Sequence, residues 1–279
     1  MTSKEQTNGA RFVGATFSGC TIEREGQFPS VQALGASYLK RWILQVTTLR
    51  SETIDITGSQ CFLGVRGGDF EAALIVNGQI AVYHWCDCAG SVGQNLVRSV
   101  ATSTLASVQR FRKSVESEIP PQSTLASHFS EILLLLETGQ YLLVLEDIPS
   151  DSYVVEIALA EIPLLEVTNF YPGFGAMVAT QFEPSMSSKR VEEYVQAIEA
   201  GIRPTVITLS SKGAWSEFIL DGHHKLKAYR ASNVQIRRLA ITRLDSPQLP
   251  LEQAMSFLPK EGPLRGHLRS HRPPGTSET

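Results

Sequence analysis

Apolar and polar positions change their period several times along this 279-residue chain, and each change predicts an element. From Phe12 to Ile22 they alternate loosely, as in a strand pair. Between Ser30 and Arg50 two readings compete: Leu34, Tyr38, Leu39, Trp42 and Ile43 fall at helical spacing, whereas Trp42 to Leu49 is rich in strand formers. The clearest local signal is Glu71 to Trp85. Two apolar runs there flank Asn77-Gly78, the pair preferred in a two-residue hairpin turn, and with the preceding Gln60–Val65 run they predict an antiparallel meander. After Gly90 and Gly93 the period lengthens. Leu96, Val97, Val100, Leu105, Val108, Phe111 and Val115 form one apolar stripe, which predicts a helix ended by Pro120-Pro121. Glu131 to Glu146 reads as two buried strands around Thr138-Gly139, and its leucine run reads equally as the end of a helix. Tyr153–Leu159 is a further strand.

From Glu161 onward the pattern is easier to parse. Ile162 to Phe170 is an extended apolar stretch with Pro163 inside it, Tyr171–Gly175 a turn-rich link, and Met177–Phe182 a short strand leading into Glu183-Pro184. Ser187 and Ser188 can cap a helix whose apolar face, Val191, Tyr194, Val195 and Ile198, recurs at i, i+3, i+4 and i+7. Gly201 stops it. Strands follow at Pro204–Leu209, Trp215–Leu220 and Val234–Thr242, with a turn at Asp221-Gly222 and a short helix at His223–Ala231. The expected class is α+β. Residues 1–160 form a mixed domain containing the meander, 161–245 a compact α/β module, and 246–279 a proline-rich tail expected to be flexible.

Composition narrows the function classes. An apolar content of 42% and a charged content of 19% are those of a core-forming protein, and a net charge of −3 gives no global attraction to nucleic acid or acidic membranes. Met1 to Ala10 lacks the apolar core of a secretory signal, and the longest aliphatic run, Ile132–Leu136, is too short to span a bilayer. Four cysteines without a secretory context point to reduced thiols in the cytoplasm. His84, Cys86 and Cys88, spaced by two, share one face of a strand and are zinc-type donors, but only the distant Cys20 or Cys61 offers a fourth ligand. Small buried thiols explain them as well, and no metal is assigned. Gly64-Val-Arg-Gly-Gly-Asp lacks the lysine and following helix of a phosphate loop and reads as a tight turn. At the far end, Arg265, His267, Arg269, His271 and Arg272 offer a contact to nucleic acid, against which composition favours a solvated end.

The chemistry concentrates in Glu217–Arg230. The apolar run Phe218-Ile219-Leu220 stops at Asp221-Gly222, and His223, His224, Lys225 and Lys227 open the next helix. A strand handing over to a helix in this way leaves free backbone N–H groups beside the positive end of the helix dipole, which favours an anion. Asp221 is a candidate magnesium ligand or an acceptor that orients a histidine, with an ordinary N-cap as the simpler role.

The order of a capped helix ending Ile-Glu-Ala-Gly-Ile-Arg-Pro, a Val-Ile-Thr-Leu strand, and Phe218 to Tyr229 resembles the ParB/sulfiredoxin-like superfamily over about residues 161–243. Members hold nucleotide phosphates on this segment. In partition proteins the motif runs Gly-Glu-Arg-Arg-x-Arg-Ala and binds the triphosphate of CTP, and here Gly222, His223, His224, Lys225, Leu226, Lys227 and Ala228 stand in its place. Lysine offers phosphate a point charge without the planar fork of arginine. In sulfiredoxins a cysteine does the chemistry, and here its position holds His223, so that activity is not expected. The residues after 245, broken by prolines, do not suggest the helix-turn-helix domain of partition proteins. The free-serine kinases of the superfamily share the Asp-Gly-His start and use a glutamate ahead of the first helix as base; the corresponding candidate is Glu183.

The resemblance therefore implies a nucleotide site for ATP/ADP or CTP with Mg²⁺, with Gly222, His224, Lys225 and Lys227 binding. It further implies NTP hydrolysis or phosphoryl transfer to a small hydroxyl acceptor, with Glu183, Asp221, His223 and His224 as the catalytic candidates. The alternative is a nucleotide-gated module that engages a protein or DNA partner without turnover.

Overall fold

The computed structural model describes residues 15–17, 20–22, 46–59, 62–68, 71–86, 92–97, 115, 119–157, 165–170, 176–182, 185–214, 216–258, 260, 265–266 and 268. In chain order the elements are β1 (Ala15–Phe17), β2 (Cys20–Ile22), β3 (Thr47–Ile56), β4 (Leu63–Gly68), β5 (Glu71–Val76), β6 (Gln79–Cys86) and β7 (Val92–Val97). Then come α1 (Leu125–His128), α2 (Ser130–Leu133), β8 (Gly139–Ile148), β9 (Val154–Ile157), β10 (Leu165–Phe170) and β11 (Ala176–Phe182). The chain continues through α3 (Ser188–Glu199), β12 (Val206–Ser211), β13 (Ser216–Asp221), α4 (His223–Ala231), β14 (Ile236–Arg243) and α5 (Leu251–Phe257). Helices with one antiparallel and one mixed large sheet make this an α+β protein, as expected. Among the described residues no helix is long and apolar enough to cross a membrane.

The meander is present as an antiparallel sheet in the order β10-β7-β6-β5-β4. Its β5–β6 turn places Asn77 at φ 49° and Gly78 at φ 74°, the double positive φ of a type I′ hairpin. The β7 strand corrects the helix expected over Leu96–Val115 at its start. Leu96 and Val97 are strand residues, because β6 on one side and β10 on the other take up the backbone hydrogen bonds of this segment. Val115 is helical and buried, and residues 98–114 lie outside the described ones. In the leucine run the helical alternative holds: α2 ends at Leu133, and β8 begins only at Gly139.

The second large sheet is mixed, in the order β3-β8-β14-β12-β13-β11-β9. It does not respect the expected boundary at residue 160. β3, β8 and β9 join β11–β14 in one sheet, while β10 leaves for the meander. The two sheets stack on one apolar core to which Val65, Ala72, Leu74 and Val82 contribute from the first, and Leu143, Leu209, Phe218, Leu239 and Ile241 from the second. Strand β5 is buried along its whole length because its other face is covered too. Ala73, Ile75, Ile80, Tyr83 and Trp85 pack against Leu249, Ala254, Phe257, Leu258 and Leu268. The tail expected to be flexible is thus docked at these positions. Its prolines bound an amphipathic helix and do not prevent one: Pro250 is the N-cap of α5, and the Pro247 carbonyl accepts from Gly67 N at 2.8 Å.

Two buried charge clusters register the layers. Glu137 accepts from Arg66 Nη2 at 2.7 Å on β4 and from Arg243 Nη1 at 2.8 Å on β14, so one carboxylate ties the two sheets together. Burial raises its pKa, but the two guanidinium groups outweigh burial and hold it below the ordinary carboxylate value. Within the mixed sheet, Arg238 on β14 bridges Glu146 on β8 and Glu217 on β13, and Thr208 Oγ1 on β12 donates to Glu217 Oε2 at 2.5 Å. Four neighbouring strands are joined on one face by this chain.

Arg238→Met is expected to lower stability by about 3–5 kcal/mol, because it leaves the Glu146 carboxylate buried and unpaired. Adding Glu146→Leu should restore most of that loss. Urea denaturation of the single and double variants checks both statements, and equal stability of the two variants would contradict them.

Candidate functional site

Strands β11 and β13 finish, and β12 and β14 begin, at the same end of the mixed sheet, since β12 and β14 are parallel and both oppose β13. Helices α3 and α4, which connect β11 to β12 and β13 to β14, therefore gather at that end. The chain leaves β13 at Asp221 and turns through Gly222 at φ 113°. A Cβ there would stand 3.0 Å from Val206 Cγ2 and 3.1 Å from Val206 Cα, so both conformation and space call for glycine.

Helix α4 buries His223, Lys225, Leu226, Ala228 and Tyr229. Tyr229 donates its hydroxyl to the Pro204 carbonyl at 2.9 Å, and burial pushes its pKa up to about 12. Lys225 is inside as well, at 1% exposure. Its ammonium donates to Asp221 Oδ2 at 2.5 Å and to the Thr205 carbonyl at 2.9 Å, and it lies 5.9 Å from the Tyr194 ring centre. A buried ammonium needs such partners. The residue expected to bind phosphate is instead a clamp joining the end of β13, the start of β12 and α4. Asp221 is committed to the same pair, so a magnesium ion there would have to displace the Lys225 ammonium. The geometry does not fit Asp221 as a metal ligand.

The histidines are also occupied. His223 Nε2 accepts from the backbone N–H of Thr180 at 3.0 Å and of Gln181 at 3.2 Å, at the end of β11. Burial lowers its pKa to about 4, against a smaller opposing effect of Asp221, so the ring is neutral near pH 7. His224, half-exposed, accepts from Ser187 N at 3.0 Å. Ser187 is the N-cap of α3, as its sequence position predicts, and its Oγ accepts from Arg190 N at 3.4 Å. The N-terminal ends of α3 and α4 consequently meet at the His224–Ser187 bond. Neither helix has an acidic residue in its first turn. Lys227 is half-exposed on α4. Glu183, the candidate base, lies outside the described residues, as does Trp215.

The structure brings together Asp221, Gly222, His223, His224 and Lys225, and it adds Thr180, Ser187, Tyr194 and Thr205. Of these, Ser187 carried a sequence signal as a cap and Tyr194 as a member of the apolar face of α3. Thr180 and Thr205 contribute backbone atoms, which no residue type announces. Of the other proposed cluster, His84, Cys86 and Cys88, only the His84 side chain is among the described residues. His84 is fully buried with Nε2 3.2 Å from Ser216 Oγ, between the two sheets. The Cys86 side chain and Cys88 lie outside the described residues. Among the described residues, no group of three or more His, Cys, Asp or Glu side chains is arranged to hold a metal ion. Comparison with protein-family models, with curated proteins and with solved structures found no match.

The neutral His223 ring links stability to pH. Its pKa is 6.5 when unfolded and about 4 when folded, so the unfolded chain binds the proton first as pH falls. The stabilisation is complete above the unfolded value and is lost on acidification toward the folded one, by about 3 kcal/mol. In His223→Gln, where an amide oxygen replaces the acceptor without titrating, this part of the pH dependence should vanish. Denaturation midpoints measured across that range test it. Separately, Gly222→Ala should lower stability by about 1–3 kcal/mol through backbone strain, readable in the same assay.

Proposed function

We propose that the α3–α4 end of the mixed sheet is the nucleotide-phosphate site of a ParB/sulfiredoxin-like module, and that it senses nucleotide without turning it over. The observation that carries the reading is the meeting of two helix N-termini at His224, with no acid in either first turn. Two dipole ends and their N–H groups then favour an anion at one place. Lys189, Arg190 and Lys227 add positive charge around it. The same geometry argues against phosphoryl chemistry by Asp221 and His223. The carboxylate is neutralised by Lys225, and the His223 Nε2 lone pair is taken by two backbone N–H groups. A general base needs that lone pair available. Binding energy would therefore act on the packing of α3 against α4, and through it on a protein or nucleic-acid partner. Such a role belongs in the cytoplasm, where nucleotides are plentiful.

The test is a titration of ATP, ADP, CTP and GTP, with and without Mg²⁺, against the wild type and a His224→Ala, Lys227→Ala double variant. Lys225 is left intact because its removal would disturb the core. Saturable binding by the wild type, at least about tenfold weaker in the double variant, together with no phosphate release, is the expected outcome. No binding by the folded wild type would remove the reading. Phosphate release abolished by Asp221→Asn would replace it with an NTP-hydrolysing or phosphoryl-transferring enzyme, for which small hydroxyl acceptors, serine included, should then be screened.

A further inference from the structure

The edge of a sheet presents backbone N–H and C=O groups to any strand that can take them, and proteins shorten, cap or blunt such edges. The edges of this protein differ in that respect. The outer side of β4 is capped: Leu135 O accepts from Phe62 N at 2.9 Å and from Leu63 N at 2.7 Å, and Leu63 O accepts from Glu137 N at 2.8 Å. At one end of the mixed sheet β9 spans only Val154–Ile157. At the other end β3 runs from Thr47 to Ile56, rich in threonine and isoleucine and without proline or lysine. Its hydrogen bonds go to β8 and, from the side chains of Arg50, Glu52 and Asp55, to Ser123, Ala126 and Gln140. Thr47, Thr48, Leu49, Ser51, Thr53 and Asp55 are exposed, Leu49 at 40%.

We infer that β3 is a homodimer edge: two copies of the chain pair β3 with β3 antiparallel about Ser51, so that their mixed sheets become one. The inference does not depend on nucleotide binding.

Symmetry restricts the register. A closed dimer is two-fold, and an edge strand that meets its own copy across an axis perpendicular to the sheet is antiparallel to it. The rotation keeps every residue on its own face, and directly opposed residues share a face. One residue must therefore oppose itself, and its neighbours on either side oppose each other. Centred on Arg50, the ladder sets Arg50 against Arg50; centred on Glu52, it sets Glu52 against Glu52. Like charges directly opposite are destabilising. Centred on Thr53, it faces Glu52 with Ile54 and Arg50 with Ile56. Centred on Ser51, it sets the Arg50 of each copy against the Glu52 of the other. The sequence Arg-Ser-Glu is positive, neutral and negative, which makes the strand complementary to its own reversed copy.

The two charges have capacity for this contact. Arg50 donates through Nη2 to the Ser123 carbonyl, and Glu52 accepts the Ala126 N–H at Oε2, at 3.2 Å. The other guanidinium N–H groups and Glu52 Oε1 remain for a charge-assisted pair. On the opposite face Leu49 comes beside the Thr53 of the second copy, which covers an exposed leucine with a β-branched residue. The bulge between Thr48 and Arg50 bounds the matched stretch, and the symmetry repeats that bound at its far end.

Sedimentation velocity of the full chain over a concentration series should show a reversible monomer–dimer equilibrium. Glu52→Arg and Arg50→Glu each place like charges across the axis, and each alone should raise the dimer dissociation constant at least about tenfold. Mixed in equal amounts, the two variants regain both opposite-charge pairs between unlike copies, and association should return to within about threefold of the wild type. Both side chains also bond beside α1, so Ser51→Cys gives a second readout that leaves them in place. Under mild oxidation it should form a covalent dimer above the background of the four native cysteines, whereas Thr53→Cys, distant from its own copy, should not. A wild type that stays monomeric throughout the series overturns the proposal. So do single variants that associate like the wild type, a mixture no more associated than its components, or equal cross-linking at the two positions.

Discussion

A charged side chain taken out of water must bring its partner with it, and Lys225 shows how much structure that requirement can organise. Its ammonium cannot be satisfied by α4 alone. It needs the Asp221 carboxylate from the last position of β13 and the Thr205 carbonyl from just before β12. The start of β12, the end of β13 and α4 are thereby brought to one point, and Gly222 makes the turn between the last two tight enough. Arg238 applies the same rule on β14, joining β8, β12, β13 and β14 through Glu146, Glu217 and Thr208. Pairs of this kind stabilise less than their Coulomb attraction suggests, but the loss of one member is severe.

That architecture also sorts the polar residues of the Asp221–Lys227 stretch by what remains of their bonding capacity. Asp221 and Lys225 neutralise each other, and His223 is turned inward on the end of β11. His224 and Lys227 keep partial exposure beside two helix starts. A run of polar and basic residues thus divides into an internal set that holds the turn and an outer set able to meet solvent. The outer pair, His224 and Lys227, is spaced at i and i+3 on α4.

The same division explains how much was legible in the sequence. The Asn77-Gly78 hairpin was readable because both residues tolerate positive φ, and the α3 cap because Ser187 carries its own acceptor. The strand and helix order from β11 to β14 followed from short periodic runs bounded by Gly201 and Gly222. What could not be read was set by pairing across the chain. Leu96 and Val97 fit a helical stripe until β6 and β10 claim their backbone. The assignment of β3, β8 and β9 to the mixed sheet has no local signature. The inward direction of Lys225 depends on a carbonyl twenty residues upstream at Thr205. In the tail, Leu249, Ala254, Phe257 and Leu258 form one apolar face between prolines that read locally as helix breakers.

The docking of α5 and its flanks on β5 and β6 has a consequence for how the molecule is made. A ribosome delivers Ala73, Ile75, Ile80, Tyr83 and Trp85 early and the residues that cover them last. Until then one side of the meander is an uncovered apolar sheet. β10, which completes it laterally against β7, is also a late arrival. The amino-terminal half therefore lacks part of its own cover until α5 is made, and an exposed apolar sheet face of this kind favours association. The last cover of that face is Leu268, so the layer closes only with residues from the far end of the sequence.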